Sequence, residues 1–187
     1  MKRIILTLAL LLVALRVTTL PAGANDWSLL QRPGAIAMMR HALAPGGGDP
    51  SGFAVDDCTT QRNLDGRGRE QARRIGQALR ERDIAFDAVL SSRWCRCLDT
   101  AREMAMGDVE EFALLDSFFG NRADGPARTT ALRNHLATRP DDRLLLVTHQ
   151  VNITALTDIF PSSGEIVVID VSEDGTVSVL GTILIDP

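Results

Sequence analysis

The chain has 187 residues, 45% of them hydrophobic, so it can bury the core of one domain and its composition excludes global disorder. Without residues 1–24, which hold three basic residues and no acid, the 20 basic residues become 17 against 24 acidic ones, a net charge of −7. This acidic balance argues against general binding of nucleic acid.

The first 24 residues have the pattern of a secretory signal peptide. A basic start precedes an apolar stretch over residues 4–15, and an Ala-x-Ala pattern ends at Ala24. Arg16 interrupts the apolar run, which leaves it shorter than the ~20 residues that a membrane span needs. We therefore expect a mature single domain of residues 25–187, periplasmic or secreted, with no stable membrane insertion after cleavage. An uncleaved membrane anchor is the alternative.

Export predicts an oxidising compartment for the three cysteines, Cys58, Cys95 and Cys97. Cys95 and Cys97 are too close in the chain to pair comfortably, so Cys58 is expected to bond one of them. We favour Cys58–Cys95, with three reduced thiols as the alternative. No cysteine pair has the two-residue spacing of zinc sites, and the cysteines therefore do not indicate a metal site.

The first half of the chain predicts two strands and one long helix. Residues 36–41 form a short apolar run that ends in Arg40-His41, as a buried strand would. Residues 42–57 are rich in Gly, Pro and Asp and indicate a long loop, leaving directly from His41, that can form a pocket rim. An apolar stripe then predicts a helix over about residues 69–82, and residues 84–91 predict the next strand.

The second half continues the alternation of helices and strands. Helices are predicted over about 95–106, 127–138 and 151–160, extended segments over 109–115 and 143–147, and a hairpin of residues 165–171 and 176–183. Asp174-Gly175 between the last two segments is a strong hairpin signal. The alternation predicts one three-layer α/β domain with a mainly parallel sheet and helices on both faces.

Three of the predicted strands end in polar groups of the same kind. One ends at Arg40-His41, one at Ser91-Ser92 with Arg96 a turn further on, and one at Thr148-His149. The carboxyl ends of parallel strands meet at one edge of a sheet, where ligands bind. Guanidinium forks match the oxygens of a phosphate, and a neutral imidazole can attack phosphorus. The sequence therefore predicts an anion site with a histidine nucleophile.

These motifs resemble the smaller branch of the histidine phosphatase superfamily, the relatives of acid phosphatases and phosphoglycerate mutases. The likeness extends over residues 34 to about 156 and implies a phosphoglycerate mutase-like fold. It rests on four separated motifs: Met39-Arg40-His41 at the family's Arg-His-Gly position; Asn63-Leu64 with Gly66, Gly68, Gln71 and Ala72; Ser91-Ser92 with Arg96, Thr100 and Ala101; and Val147-Thr148-His149.

The resemblance implies a role for each residue of the predicted site. His41 would be the nucleophile that becomes phosphorylated. Arg40, Arg96 and His149 would hold the phosphoryl oxygens and spread their developing charge. No metal and no other cofactor is implied.

The resemblance also implies a proton donor, and here the chain departs from the family pattern. Asp116, in the segment Leu-Asp-Ser-Phe-Phe-Gly, stands where this branch usually has a glutamate; a turn or helix cap is its alternative role. As an acid it would need a pKa raised by burial. Asn63 and Arg62 are candidate pocket residues, although Asn63 could equally cap the following helix. Ala42 replaces the family's glycine, so either this turn needs no positive φ or its backbone is shifted.

Two functions follow from these expectations. The first is an exported, metal-independent phosphatase that hydrolyses phosphomonoesters through a phosphohistidine on His41. Its substrate would be a phosphorylated small molecule, a cell-envelope saccharide or a phosphoprotein, and not a nucleic acid. The alternative is an inactive anion-binding or scaffolding domain of the same fold, which the departures at Ala42 and Asp116 would favour.

Overall fold

The structure is a computed structural model that describes residues 25–185, so the predicted signal peptide lies outside the described residues. Within this range, no helix is long and apolar enough to cross a membrane. The described part folds as one six-stranded sheet with helices on both faces. The strands are β1 (Ile36–Arg40), β2 (Ala88–Ser91), β3 (Val109–Glu111), β4 (Leu144–Thr148), β5 (Ile166–Val171) and β6 (Val177–Ile183), and the helices are α1 (Gly66–Arg80), α2 (Cys95–Met104), α3 (Gly125–Ala137) and α4 (Gln150–Thr157).

The sheet has the order β3-β2-β4-β1-β5-β6 and is parallel over its first four positions. Arg40 lies opposite Thr148, and Ser91 lies opposite Val147, so β1, β2 and β4 end at the same level. The hairpin β5–β6 is antiparallel and extends the sheet beyond β1. The predicted three-layer α/β fold with a mainly parallel sheet is confirmed.

The central strands are buried on both faces, as continuous apolar runs require in a parallel sheet. Ala37 and Met39 of β1 face the core that includes Ala72 and Ile75 of α1 and Ala101 of α2. The alternate residues of β1, Ile36 and Met38, face the second core, which contains Leu132 and Leu136 of α3 and Ile153 of α4. The two cores hold β1 rigidly, and His41 follows directly at its end.

Local backbone chemistry explains where the helices differ from their predicted bounds. α1 begins three residues early because Oδ1 of Asp65 accepts a hydrogen bond from the Gly68 N–H at 2.9 Å and caps the helix. α2 ends at Met104, since Ala105 adopts a left-handed conformation with φ of 53°. α4 ends in the same way at Thr157, since Asp158 is left-handed with φ of 60°.

Gly68, in the first turn of α1, lies against the chain segment that leaves His41. A Cβ atom at this position would collide with the carbonyl group of Leu43. Only a residue without a side chain permits this approach. The start of α1 is therefore packed directly on the backbone two residues after His41.

Candidate active site

A cavity of about 600 Å³ opens at the carboxyl ends of the parallel strands. It brings together five of the predicted site residues: Arg40, His41, Arg62, Arg96 and His149. Its remaining wall is formed by the loop after β1, by segments that precede α2 and α3, and by the first two residues of α4: 46–53, Trp94, Ser117, 119–121, Gln150 and Val151.

His41 is buried at the end of β1 and is held in one tautomer. Its Nδ1 lies 2.8 Å from the carbonyl oxygen of Ala42. A carbonyl only accepts hydrogen bonds, so Nδ1 carries the proton and Nε2 keeps a lone pair. Nε2 has no hydrogen-bond partner among the described residues. Burial, together with the charge of Arg96, holds the pKa of His41 well below its usual value, so the imidazole is neutral.

The two residues after His41 are fixed by side chains from α1 and α2. The Ala42 N–H donates to Oγ1 of Thr100 at 3.0 Å, and the Leu43 N–H donates to Oε1 of Gln71 at 2.9 Å. Ala42 is not among the residues with positive φ. The turn after His41 therefore needs no glycine, and the first of the two explanations given for Ala42, a turn without positive φ, applies.

Arg40 and Arg62 each direct part of their guanidinium group to the backbone. Nη1 of Arg40 donates to the carbonyl of Pro161 at 2.9 Å, and Nε of Arg62 donates to that of Gly48 at 2.9 Å. Nη2 of each has no partner among the described residues. Burial, followed by the charge of Arg96, lowers the pKa of both arginines. A bound anion would relieve this concentration of positive charge.

Arg96 is buried and is paired with a carboxylate that the sequence analysis did not single out. Its Nη1 lies 2.7 Å from Oδ1 of Asp49, and its Nη2 lies 3.2 Å from Oδ2. Asp49 also accepts hydrogen bonds from Nε1 of Trp94 and from the Arg62 N–H. Burial alone would raise the pKa of Asp49, but the bonds and charge of Arg96 outweigh it and hold this pKa below its usual value. The sequence feature that could have indicated Asp49 is an acidic residue in the glycine-rich loop that starts at His41.

His149 is buried beside His41, with 5.6 Å between the ring centroids. Its Nδ1 lies 3.4 Å from Nη2 of Arg96, which can only donate, so Nδ1 accepts. Nε2 therefore carries the proton and donates it to Oγ of Ser92, at 2.8 Å. Burial, together with Arg96, holds the pKa of His149 well below its usual value. Both imidazoles are thus neutral, with opposite tautomers.

Asp116 does not line the cavity. Its side chain is 1% exposed and lies behind Ser92. Oδ1 accepts from Oγ of Ser92 at 3.3 Å and from the Arg93 N–H at 3.0 Å, and Oδ2 accepts from Nε of Arg93 at 2.8 Å. Because the carboxylate is bound to Arg93 and is not part of the cavity lining, the structure adds no contact that supports the prediction of Asp116 as the proton donor. Asp116 instead supports His149 through Ser92.

Asn63 is the second predicted residue that the structure leaves outside the cavity lining. Its Nδ2 donates to the carbonyl of Cys58 at 2.6 Å. Asp65, two residues further on, caps α1 instead. Asn63 therefore neither lines the cavity nor caps the helix, and its amide holds the turn at Cys58.

Cys58 and Cys95 form a disulfide, with 5.7 Å between their Cα atoms. It links the segment that leads to Arg62 with the first residue of α2, next to Arg96. Cys97 is free and buried, with Sγ 3.5 Å from Nε2 of His149. Burial raises the pKa of the Cys97 thiol to about 12, so it stays protonated. Among residues 25–185, no group of three or more His, Cys, Asp or Glu side chains could hold a metal ion.

Similar solved structures share this fold at low sequence identity. SixA, a protein histidine phosphatase complexed with tungstate, superimposes with a TM-score of 0.59 at 18% identity, covering 80% of this chain and 96% of that chain. A putative alpha-ribazole-5'-P phosphatase from Escherichia coli has a TM-score of 0.60 at 18% identity, covering 79% and 95%. Phosphoserine phosphatase from Entamoeba histolytica has a TM-score of 0.54 at 14% identity, covering 81% and 97%.

The family pattern matches the part of the chain that builds most of the cavity. Residues 38–118 match the family model of the histidine phosphatase superfamily, branch 1. This range includes His41, Asp49 and Arg96 and ends before His149. No curated protein matches the chain. The fold and the family pattern together confirm the resemblance to the histidine phosphatase superfamily, branch 1, that the motifs of the sequence indicate.

Proposed function

We propose that this protein is a phosphatase that hydrolyses phosphomonoesters through a phosphohistidine intermediate on His41, without a metal ion. The observation that carries the proposal is the hydrogen bond between Nδ1 of His41 and the Ala42 carbonyl. It leaves the Nε2 lone pair available on a neutral imidazole in a cavity lined by three arginines. A neutral ring nitrogen is the form of histidine that can attack phosphorus.

The charge of the cavity supports a phosphate ester as its ligand. Arg40, Arg62 and Arg96 contribute three positive charges, the carboxylate of Asp49 removes one, and the histidines are neutral. The net charge of +2 complements a phosphomonoester, which carries about −1.5 to −2 at pH 7. The free Nη2 atoms of Arg40 and Arg62 supply donors for its oxygens.

The reaction would proceed in two displacements at phosphorus. In the first, Nε2 of His41 forms a bond to phosphorus while the ester P–O bond breaks, and the leaving oxygen takes up a proton. In the second, a water oxygen attacks phosphorus, the P–N bond breaks, and inorganic phosphate and neutral His41 are formed. The guanidinium groups stabilise the charge on the phosphoryl oxygens in both steps.

The cavity is much larger than a phosphoryl group, and its outer wall is partly aromatic. Phe53, Trp94 and Phe119 line it, and Phe119 is 52% exposed. This wall suits the organic part of a phosphorylated small molecule, or the end of a cell-envelope saccharide or phosphoprotein side chain that enters from solvent. The net negative charge of the chain argues against a nucleic acid.

The decisive experiment is hydrolysis of 4-nitrophenyl phosphate in EDTA by residues 25–187, for the wild type and His41→Ala. We expect turnover by the wild type and loss of at least 100-fold in His41→Ala. Acid-labile, base-stable phosphate on the quenched wild-type protein would mark the histidine adduct. Equal activity of the two proteins would exclude His41 as the nucleophile. Binding of tungstate without turnover of any ester in a broad panel would favour an anion-binding domain.

We also propose export to the periplasm or the medium, with loss of residues 1–24. The basic start, the apolar stretch and the Ala-x-Ala pattern support it. Intact mass of the protein recovered from each cell fraction tests it. A mature chain that begins at Asn25 in the periplasm or medium is expected, and the full chain retained in the membrane fraction would contradict cleavage.

A further inference from the structure

Among the described residues that line the cavity, Asp49 supplies the one carboxyl group. Each of its oxygens accepts two hydrogen bonds. Oδ1 accepts from Nη1 of Arg96 at 2.7 Å and from the Arg62 N–H at 3.2 Å. Oδ2 accepts from Nη2 of Arg96 at 3.2 Å and from Nε1 of Trp94 at 3.0 Å. All four partners donate, so the carboxyl is ionised in this arrangement.

Arg96 cannot use the same two Nη atoms for Asp49 and for a phosphoryl group. Asp49 binds them as a fork, which is also how a phosphate binds guanidinium. The second hydrogens of these two atoms are also engaged, by the Arg62 carbonyl and by Nδ1 of His149, each at 3.4 Å. The fifth donor, Nε, is buried and has no partner among the described residues. A phosphoryl group bound to the Nη pair would therefore displace the carboxylate of Asp49 from Arg96.

We propose that Asp49 is the general acid of this site, freed to protonate the leaving oxygen when the phosphoryl group takes its place on Arg96. The inference rests on the proposed phosphatase function. It supplies the proton donor that Asp116, bound to Arg93 outside the cavity, does not supply.

The charges around Asp49 explain why substrate is needed to make it an acid. The titratable and charged groups that share the cavity with it are three guanidinium groups and two neutral imidazoles: Arg40, Arg62, Arg96, His41 and His149. The guanidinium groups favour the carboxylate. A dianionic phosphoryl group neutralises them and places negative charge beside Asp49, and both effects raise the pKa of its carboxyl group. Proton uptake by Asp49 is thus coupled to substrate binding.

The position of Asp49 suits proton delivery to a leaving group. His41 is buried at the end of β1, whereas Asp49 lies on a loop whose flanking residues, 45–47 and 50–52, are exposed. Attack by Nε2 from the buried side expels the leaving group in line, toward the open side of the cavity. The Gly48 φ of +70°, which side-chain-bearing residues rarely adopt, turns the loop so that Asp49 faces inward.

The proton balance closes over the two steps. As Nε2 of His41 bonds to phosphorus and the ester P–O bond breaks, the Asp49 proton moves to the leaving oxygen, and a neutral alcohol departs. The resulting carboxylate then takes a proton from the water that attacks phosphorus as the P–N bond breaks. Asp49 is protonated again, and it loses this proton to solvent when phosphate leaves and Arg96 takes back the carboxylate.

The test compares leaving groups in Asp49→Asn. The rate of the first displacement is compared, because loss of Asp49 as the base of the second step would slow both esters alike. With 4-nitrophenyl phosphate, whose leaving group needs no proton, we expect the rate of the 4-nitrophenolate burst to stay within about fivefold of the wild type. With glycerol 2-phosphate we expect a loss of about 100-fold or more, the usual contribution of a general acid. Asp56→Asn is the matched control, since Asp56 is an exposed acid of the same loop outside the cavity lining. It should behave as the wild type with both esters.

Other outcomes would overturn the assignment. If Asp49→Asn loses rate equally with the two esters, Asp49 only positions Arg96. If it gains rate equally with both, Asp49 only competes with phosphate for Arg96. Asp116→Asn, by contrast, should slow both esters alike; selective loss with glycerol 2-phosphate there would return the acid role to Asp116. Inactivity of the wild type with every ester would refute the proposed function itself, which is a distinct result.

Tungstate affinity provides a readout that does not depend on turnover. Asp49→Asn removes the negative charge that competes for Arg96, so we expect severalfold tighter binding of tungstate, measured by calorimetry. Weaker binding in a folded variant would contradict displacement of Asp49 by the anion.

Discussion

Oγ of Ser92 lies 2.8 Å from Nε2 of His149 and 3.3 Å from Oδ1 of Asp116, and so connects a cavity imidazole to a buried carboxylate. The hydroxyl accepts from the imidazole and donates to the carboxylate. This bond fixes which nitrogen of His149 faces Arg96. Orientation of a site histidine therefore depends on two residues that do not line the cavity.

Removal of this link should slow catalysis without preference among substrates. In Ser92→Ala we expect kcat to fall about 10- to 100-fold, the usual cost of losing a partner that orients a site histidine. The loss should be equal for 4-nitrophenyl phosphate and glycerol 2-phosphate. Ser91→Ala is the control, because among residues 25–185 the hydroxyl of Ser91 donates its hydrogen bond to the backbone carbonyl of Ser92 and not to His149 or Asp116. Unchanged kcat in Ser92→Ala would show that His149 needs no such support.

Protein stability should fall as the pH drops below about 6.5. In the unfolded chain the histidines take up a proton near this pH, whereas burial, aided by Arg96, keeps folded His41 and His149 neutral to much lower pH. Unfolding then binds protons, and each buried histidine costs about 1.4 kcal/mol per pH unit below 6.5.

Urea unfolding between pH 7 and pH 5.5 measures this dependence. His149→Gln should have a shallower decline than the wild type, by the contribution of one histidine. Burial also lowers the pKa of His135, so this residue adds a smaller loss of stability at low pH, which is the same in both proteins. Equal stability of the wild type at the two pH limits would contradict neutral burial of the imidazoles.

The forked shape of Arg96 should matter beyond its charge. Arg96→Ala is expected to lose about 100-fold or more in kcat for 4-nitrophenyl phosphate, as for loss of a transition-state donor. Arg96→Lys keeps the positive charge but cannot bind two oxygens in one plane. We therefore expect its kcat to exceed that of Arg96→Ala by less than tenfold. Arg102→Lys, on the exposed face of the same helix, controls for the substitution itself. Near-complete recovery in Arg96→Lys would mean that charge alone suffices.

The disulfide should contribute to both stability and activity. Cys58 and Cys95 are 37 residues apart, a separation for which chain entropy predicts about 4 kcal/mol of stabilisation. Cys58→Ser should lose stability of this order in urea and should lower kcat/KM, because the segment bearing Arg62 is no longer tied to α2.

Thiol labelling checks that the bond is the cause. In the folded, oxidised protein no thiol should react with iodoacetamide, since Cys97 is buried and its pKa is raised to about 12. Treatment with reductant should leave the free energy of unfolding of Cys58→Ser unchanged. The same treatment should lower that of the wild type to the value of the variant. A wild type that is insensitive to reductant would contradict a structural role for the bond.

The fold could be predicted because its signals are local. The apolar runs of β1 and β4 and the Asp174-Gly175 turn are visible in short windows of sequence. The proximity of His41 and His149 could also be predicted, because the carboxyl ends of neighbouring parallel strands lie at one edge of the sheet. Helix starts were less accurate, because the cap of α1 is the aspartate at position 65 and not the preceding asparagine at position 63.

Contacts between distant segments could not be predicted in this way. Asp49 faces Arg96 across 47 positions of sequence because a loop of irregular conformation turns it inward. Asp116 has the expected sequence context, yet its partner Arg93 lies 23 positions earlier, and no local pattern in the sequence joins the two residues. Which cation a carboxylate binds is decided by tertiary structure, so neither the Asp49–Arg96 pair nor the Asp116–Arg93 pair could be predicted from the sequence.

Gly68 shows that the geometry around His41 restricts which residue can occupy a position in a neighbouring helix. An alanine there would favour α1 by its intrinsic helical propensity, and an isolated helix would gain from it. In the folded protein the added methyl group would push the carbonyl of Leu43 outward, and the displacement would travel through Ala42 to the imidazole of His41. A position that does not line the cavity is thus closed to an otherwise beneficial substitution, and random mutagenesis should find it intolerant for loss of turnover sooner than for loss of folding.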